Sequence, residues 1–332
     1  MSINNLIPGK SATNRQNVNN PEKSSRLTQS YRHKTADSWR LFLFVVTVFV
    51  SCTTISPVSS AQETVPSFNA IENVRPVWQF FAHGVDYFNG KTISPRLEFW
   101  ALRVDINAPG IEIFVQSGAE NNNSNISLST KVSSFVRDNN LIAGMNAVPF
   151  DIISSRERQP IRNMGIVISD GVLLSPVNQY YDALIFFRNE SNNQRRAAIV
   201  SQSSITSTVN IENAVGGFHH ILIGGQPAQR TLNNAGRHPR SAAGVSSDGR
   251  YLYMLVIDGR RAGSIGSTER ETALLLRSLG SWDGLNFDGG GSSALAMRFP
   301  DDRIRVVNTP VHNSIPGVER AVAGCFGIYI VD

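Results

Sequence analysis

The sequence predicts an α+β fold: mixed, largely antiparallel sheets with a few flanking helices, in one domain. Three observations carry this reading. Apolar residues alternate with polar ones in many short runs, the pattern of half-buried strands. Two Asp-Gly pairs, Asp170-Gly171 and Asp248-Gly249, sit between such runs, as the turns of two-residue hairpins do. Only two stretches carry helical spacing, so helices flank the sheets rather than alternate with the strands.

Taken in order, residues 1–61 form a basic leader. They hold seven Lys or Arg against Glu22 and Asp37. The run LFLFVVTVFV (Leu41–Val50) follows, then small and polar residues through Ala61. A span of roughly 30 Å takes about 20 apolar residues, so this short run reads as a secretory signal cut after Ser59-Ser60-Ala61. Two alternatives stay open: a lipoprotein signal with Cys52 as the lipid-bearing residue, and an uncleaved anchor extending through Ile55. Either would bring membrane association through the leader or a lipidated Cys52.

The formal net charge of +5 resides in that leader, since the other 271 residues carry 24 basic and 24 acidic side chains. Without clustered Lys and Arg in the body, a nucleic-acid partner is excluded. Cysteine usage excludes more. Only Cys52 and Cys325 exist, so neither a disulfide scaffold nor a cysteine zinc site is expected. The setting AVAGCFGIYI places Cys325 on a buried strand as a packed thiol.

Residues 62–95 show little periodicity and read as an irregular entry; the folded domain is expected over 96–332. Leu97–Ile106 alternates, and the turn Asn107–Gly110 into IEIFVQS predicts a hairpin. Leu128, Val132, Phe135 and Val136 recur at helical spacing, predicting a helix from about Ser127 to Asn139. LIAGMNAVPFD (Leu141–Asp151) reads as a buried strand leaving into a loop. Gly165–Ser175 is a hairpin about Asp170-Gly171, and residues 182–188, 196–201 and the run HHILIGGQ are further strands. Residues 241–261 form the clearest hairpin, about Asp248-Gly249. Thr268 stands three residues before Glu271, a capping box for a helix that Gly280 ends. LNF then re-enters the sheet, and ALAMRFP reads as strand.

Between those last two runs lies Asp288-Gly289-Gly290-Gly291-Ser292-Ser293. Three consecutive glycines forfeit backbone entropy, which implies unusual dihedrals or close approach of another group. Successive exposed amides in such a turn form a concave anion site, and two hydroxyls and a carboxylate stand beside them. The alternative is a glycine-rich turn at a sheet edge. The stretch is neither a P-loop nor a G-x-G-x-x-G turn. Gly290–Ala294 does fit G-x-S-x-A, close to a nucleophile elbow. A serine hydrolase would use Ser292 with His312 and Asp301 or Asp302, but the helix that should follow an elbow is missing.

Read together, the motifs resemble the phosphodiester glycosidase family. That family shows R-T-A-I-G, D-G-R, V-D-G-R, T-x-x-E-x-A, N-L-D-G-G-G-S-S and a late E-R-P-V. This chain has Arg240-Ser241-Ala242-Ala243-Gly244, Asp248-Gly249-Arg250, Asp258-Gly259-Arg260, Thr268 with Glu271 and Ala273, Asn286-Phe287-Asp288-Gly289-Gly290-Gly291-Ser292-Ser293, and Glu319-Arg320-Ala321-Val322. The order agrees throughout. Gly216-Gly217 resembles a further G-G-x-x-L segment. The family's I-N-G-G-F-F-D corresponds to Met145–Asp151, where Asn146, Phe150 and Asp151 match and Ala147, Val148 and Pro149 depart.

The resemblance implies one catalytic domain hydrolysing a sugar-1-phosphodiester, with a phosphorylated glycan as substrate. Because the leaving phosphate is already acidic, catalysis needs phosphate neutralisation and stabilisation of a cationic sugar more than a general acid. On that reading Asp288, Arg240 and Glu271 are catalytic. Asn146, Asp151, Asp258, Arg260, Gly289, Gly290, Gly291, Ser292, Ser293 and Arg320 bind substrate, the arginines by bidentate phosphate contacts. Glu271 also reads as the capping-box acid alone, Arg260 as the cap of its own turn and Asp151 as a turn residue. His219 and His220 would face opposite sides of a strand, which argues against a metal site using both. No cofactor is expected and no acidic cluster has convincing metal-ligand spacing, which leaves the need for a divalent ion open. An extracytoplasmic location, periplasmic or secreted, follows from the leader. A glycan-binding protein of the cell envelope that lost turnover on the same scaffold is the alternative function.

Overall fold

A computed structural model describes residues 69–116, 125–151, 156–189, 191–233 and 236–331. All lie in one compact unit, residues 62–332. The leader, with the signal, anchor and Cys52 readings, lies outside the described residues.

Every strand pairing among the described residues is antiparallel, which narrows the expected mixed sheets. The largest sheet has eight strands in the order Gln79–Ala82, Val85–Ile93, Arg96–Asp105, Tyr251–Ile257, Arg240–Val245, Asp283–Asn286, His219–Ile223 and Gln226–Pro227. Its central strands are buried on both faces, and their alternation sorts the side chains. Leu252, Met254 and Val256 enter the main core, whereas Tyr253, Leu255 and Ile257 enter a second core beneath a helix. That helix, Glu269–Leu279, contributes Leu274, Leu275, Leu276 and Leu279 to the second core.

Two five-stranded sheets close the main core. One runs Ile304–Val306, Leu295–Arg298, Ala143–Asn146, Cys325–Ile330 and Ile111–Val115. The helix Val132–Asp138 covers its outer face through Val132, Phe135 and Val136, packed with buried Cys325. The other runs Arg195–Ser201, Asp182–Arg188, Ile211–Gly216, Val167–Ser169 and Val172–Ser175. A short helix, Asn69–Glu72, packs Ile71 into the second core. No helix of the described residues is long and apolar enough to cross a membrane.

The local signals hold at Asp170-Gly171 and at the caps. At Asp248-Gly249 only Gly249 has positive φ, 70°, and Ser246 still pairs with Tyr251, so that hairpin turn is longer than two residues. Asp170 and Gly171 both have positive φ, 47° and 76°, as a type I′ hairpin turn requires. Thr268 Oγ1 accepts from the Glu271 amide at 3.1 Å, and Glu271 returns the contact to the Thr268 amide at 3.0 Å. Gly280 ends the helix at φ 113°, where a Cβ would lie 2.6 Å from Tyr253 Oη.

Three further expectations are corrected. The entry segment is not irregular throughout: Gln79–Ala82 and Val85–Ile93 are paired strands. The turn at Asn107–Gly110 does not make a hairpin, because Arg96–Asp105 is already paired on both sides. Ile111–Val115 therefore crosses to Cys325–Ile330 in another sheet. The first helix starts at Val132 rather than Ser127, since Ile126–Leu128 pairs with Pro160–Arg162 and Thr130 bridges to Val322.

The capping box yields a stability prediction. Thr268→Ala is expected to lower unfolding free energy by about 1 kcal/mol, read from urea melts; an unchanged midpoint would mean the cap contributes nothing.

Candidate active site

Antiparallel register gathers the site at one end of the large sheet. Arg240 pairs with Ile257, so the strand entering at Arg240 lies beside the one leaving towards Asp258 and Arg260. Asn286 stands opposite both Ala242 and His219, which brings the exit towards Asp288 to the same end. The Ala143–Asn146 strand of the neighbouring sheet delivers Asn146 there too. Its amide donates to the Asp288 carbonyl at 2.6 Å, and its Oδ1 accepts from Ser241 Oγ at 2.7 Å and the Ala294 amide at 3.2 Å. Asn146 is thus a buried clamp between two sheets.

The glycine run serves a different purpose from an amide nest. The Gly290 amide donates to Pro239 O at 2.8 Å, and the Gly289 amide serves the Asp288 carboxylate. What the glycines supply is a floor without side chains. A Cβ on Gly290 would lie 2.8 Å from Arg260 Nη2, and one on Gly291 would lie 2.6 Å from Arg320 Nη2. Gly290 also has φ +65°, a region where side chains are disfavoured. Two guanidinium groups therefore lie directly on the backbone of the turn.

Neither guanidinium has a carboxylate within salt-bridge distance among the described residues. Arg320 donates from Nη1 to Ser292 Oγ and from Nε to His312 Nδ1, each at 3.2 Å. Burial and the nearby charge of Arg260 depress the Arg320 pKa, while Asp288 opposes that shift. Arg260 is itself held at φ 60°, an uncommon conformation for a residue with a side chain. Like charges so arranged make a ready receptor for an anion.

Asp288 stands beside them. Its Oδ2 is sealed from solvent with no hydrogen-bond partner, although the residue as a whole is partly exposed. Desolvation raises its pKa from 3.8 to about 6, against the Ser292 hydroxyl, the Arg320 charge and the Gly289 amide, which all favour the ionised form. A carboxyl group titrating near neutrality in a cleft marks a functional-site candidate.

The adjoining cleft encloses about 440 Å³ and is lined in part by His219, Arg230, Arg240, Arg260, Glu269 and Asn286. Arg240 is nearly buried, donating to Ser267 O and Gly236 O and standing 3.7 Å from Glu269. Burial lowers the pKa of Arg240 and of His219; for His219 the Arg230 charge adds to it. Asn286 Oδ1 is buried without a partner. A larger hollow of about 600 Å³ lies elsewhere, but there Arg195 is spent on Glu112 and Glu212 at 2.5 and 3.0 Å.

Not every expected residue comes to the cleft. Glu271 caps its helix and holds Arg237 through both carboxylate oxygens. Asp258 is a buried anchor bound to Arg261, Asn308 and the Thr309 amide, its pKa raised by desolvation. Asp151 pairs with Arg162 at 3.5 Å instead of meeting a ligand. Asn146 is occupied by its three protein partners. Ser293 is fully buried with its hydroxyl unpartnered. Ser292 faces Arg320, and no histidine nitrogen reaches it among the described residues, so the nucleophile–base pair of a serine hydrolase is not formed. His219 and His220 do part as expected: His219 lines the cleft, and His220 is bound to Asp182 and Ile199 O.

Sequence reasoning missed Glu269, Asn286 and Arg230. Glu269 follows Thr268 in the first turn of the capped helix, where acids complement the helix dipole, so its type carried no distinct signal. Among the described residues no group of three or more His, Cys, Asp or Glu is placed to hold a metal ion.

A family model for phosphodiester glycosidase matches residues 139–329, and the chain belongs to that family. The family takes its description from phosphodiester glycosidase activity. The catalytic domain of zebrafish N-acetylglucosamine-1-phosphodiester α-N-acetylglucosaminidase, auto-inhibited by pro-peptide, shares the fold. Its TM-score is 0.54 at 16% identity, over 78% of this chain and 89% of that one. A hypothetical protein from Synechocystis superposes with a TM-score of 0.52 at 15% identity, over 75% of this chain and 62% of that one. A Burkholderia pseudomallei protein named as a candidate exported protein gives 0.51 at 14%, over 70% and 74%. At such identities the likeness is one of fold. The SPβ prophage-derived uncharacterized protein YomE of Bacillus subtilis is 35% identical over 96 residues, 29% of this chain but only 13% of its own length.

Two variants test this geometry. Gly291→Ala is expected to displace the mobile end of Arg320 while sparing the fold: affinity for a phosphodiester anion, measured by calorimetry, falls at least about tenfold with little change in melting temperature. Asn146→Leu strands the Ser241 hydroxyl and the Ala294 amide, and should cost about 3 kcal/mol in a denaturant melt. A loss below about 0.5 kcal/mol would show that the clamp is dispensable.

Proposed function

We propose that this protein is an exported enzyme cleaving a sugar-1-phosphodiester, giving free sugar and a phosphomonoester, with the compact unit of residues 62–332 as its catalytic domain. The observation that carries the reading is the pair of carboxylate-free guanidinium groups, Arg260 and Arg320, resting on Gly290 and Gly291 beside Asp288. Export rests on the leader, whose basic and apolar order resembles a secretory signal.

In this account the phosphodiester lies over the glycine floor, its oxygens shared between Arg260 and Arg320. The C1–O bond breaks, and its electron pair leaves with the phosphate oxygen. Because the leaving group is a stabilised phosphate, no side chain must protonate it; the guanidinium charges hold the developing dianion. The anomeric carbon gains cationic character, and the ionised Asp288 stabilises it, either directly as nucleophile or by taking a proton from the attacking water. Glu269 and Asn286 offer acceptors to sugar hydroxyls, and Arg240 fixes Glu269.

Asp288→Asn is expected to reduce kcat at least about a thousandfold on a sugar-1-phosphodiester, assayed as released reducing sugar; retained turnover removes Asp288 from the mechanism. The pH profile follows from the sign of its shift. Activity needs the ionised form, so kcat/KM should fall as pH drops through about 6. The same shift works against stability. Because folding raises the pKa from 3.8 to about 6, the ionised native state is disfavoured above the unfolded value. Near pH 7 the penalty is about 3 kcal/mol. The Asn variant should accordingly be more stable than the parent at pH 7, with the gain vanishing below about pH 4; a variant that gains nothing would show the carboxylate is not buried at a cost.

A further inference from the structure

Another hollow, of about 510 Å³, lies outside the cleft. Its walls come from two segments, Arg162–Gly165 and Ser175–Tyr180, with Asn125 beside them. One fully buried side chain fastens both. Gln202 Oε1 accepts from the Ile166 amide at 2.9 Å and from the Asn178 amide at 2.8 Å, while its amide donates to Asp182 O. An Asn178 side-chain oxygen then receives the Tyr180 amide at 3.1 Å. The walls are thus pre-organised by hydrogen bonds that leave the hollow itself open.

What faces this space mixes apolar side chains, Met164, Pro176 and Val177, with the amides of Asn125, Asn178 and Gln179. Arg162 is offset by Asp151. Tyr180 lines it too and is 75% exposed. In the wall, Ser175 and Asn163 are buried, and each has a side-chain oxygen without a hydrogen-bond partner. Buried polar groups left unpaired cost free energy unless something satisfies them. One residue links the hollow to the cleft. Tyr181, the next residue, packs edge-on against Phe218 and His219, with centroids at 5.3 and 5.8 Å, and both of those line the cleft.

We propose that this hollow is a binding subsite for a neutral glycan segment, with Tyr180 stacking on a sugar ring and the surrounding amides and hydroxyls meeting its hydroxyl groups. A polyhydroxylated chain matches the walls: it carries apolar ring faces for the phenol and paired donor–acceptor groups for amides, and it requires no countercharge. The inference goes beyond hydrolysis at the cleft, since it assigns polymer binding to residues that no catalytic step uses.

Native affinity electrophoresis of the whole chain tests it, with gels containing dextran, laminarin, starch or galactomannan as probes. The parent should be retarded by at least one, Tyr180→Ala should lose at least half of that retardation, and Tyr180→Phe should keep it. Matched circular-dichroism melts establish that each variant is folded. Asp288→Asn should be retarded like the parent, so loss of hydrolysis and loss of this subsite are read separately. Retardation by none of the four, or equal retardation of the parent and Tyr180→Ala, overturns the proposal.

Discussion

The seating of two guanidinium groups on a bare backbone is the constraint from which the rest of the site follows. Any Cβ at Gly290 or Gly291 would occupy the space of Arg260 or Arg320. Glycine at both positions therefore lets the guanidinium groups keep their seats, but such a turn is entropically costly and conformationally loose. The surrounding structure compensates by fixing it from several directions. Asn146 holds its entry through the Asp288 carbonyl, Pro239 accepts the Gly290 amide, and Asn308 holds the Ser293 carbonyl. Three segments distant in sequence converge on six residues.

Those fixtures explain why the site sits at the end of a sheet buried on both faces. The Tyr251–Ile257 strand sends alternate residues into two separate cores, so its exit at Asp258 is held rigidly. Rigidity there supports Arg260, whose backbone is in an unfavourable region. The site in turn keeps several groups that a purely structural design would remove: a sealed Asp288 oxygen, a partnerless Asn286 oxygen and two like charges near each other. Such features lower stability, the trade that a binding or catalytic site makes.

Much of the fold was legible, because its signals are local. The Asp170-Gly171 turn demands positive φ, and Thr268, Glu271 and Gly280 define a helix without help from elsewhere. The Val85–Ile93 strand was not legible: its Asp86, Asn89, Gly90 and Lys91 are poor strand formers, and pairing with Arg96–Asp105 supplies what propensity lacks. The candidate site divides in the same way. Asp258 and Asp288 both precede glycine at a strand exit and read alike in sequence. Only their partners separate them, since Arg261, Asn308 and Thr309 consume Asp258 while Asp288 keeps an oxygen free. Glu269 and Glu271 were exchanged for a similar reason: the capping signal is local, whereas entry to the cleft depends on the angle at which the helix meets the sheet.

The central claim is that the phosphate is held and released while the bond to the anomeric carbon breaks. Hydrolysis of a sugar-1-phosphodiester in ¹⁸O-labelled water, with both products analysed by mass spectrometry, tests it most directly. The account predicts label in the anomeric hydroxyl of the released sugar and none in the phosphomonoester. Label in the phosphate would mean attack at phosphorus, and would contradict the roles given to Asp288, Arg260 and Arg320.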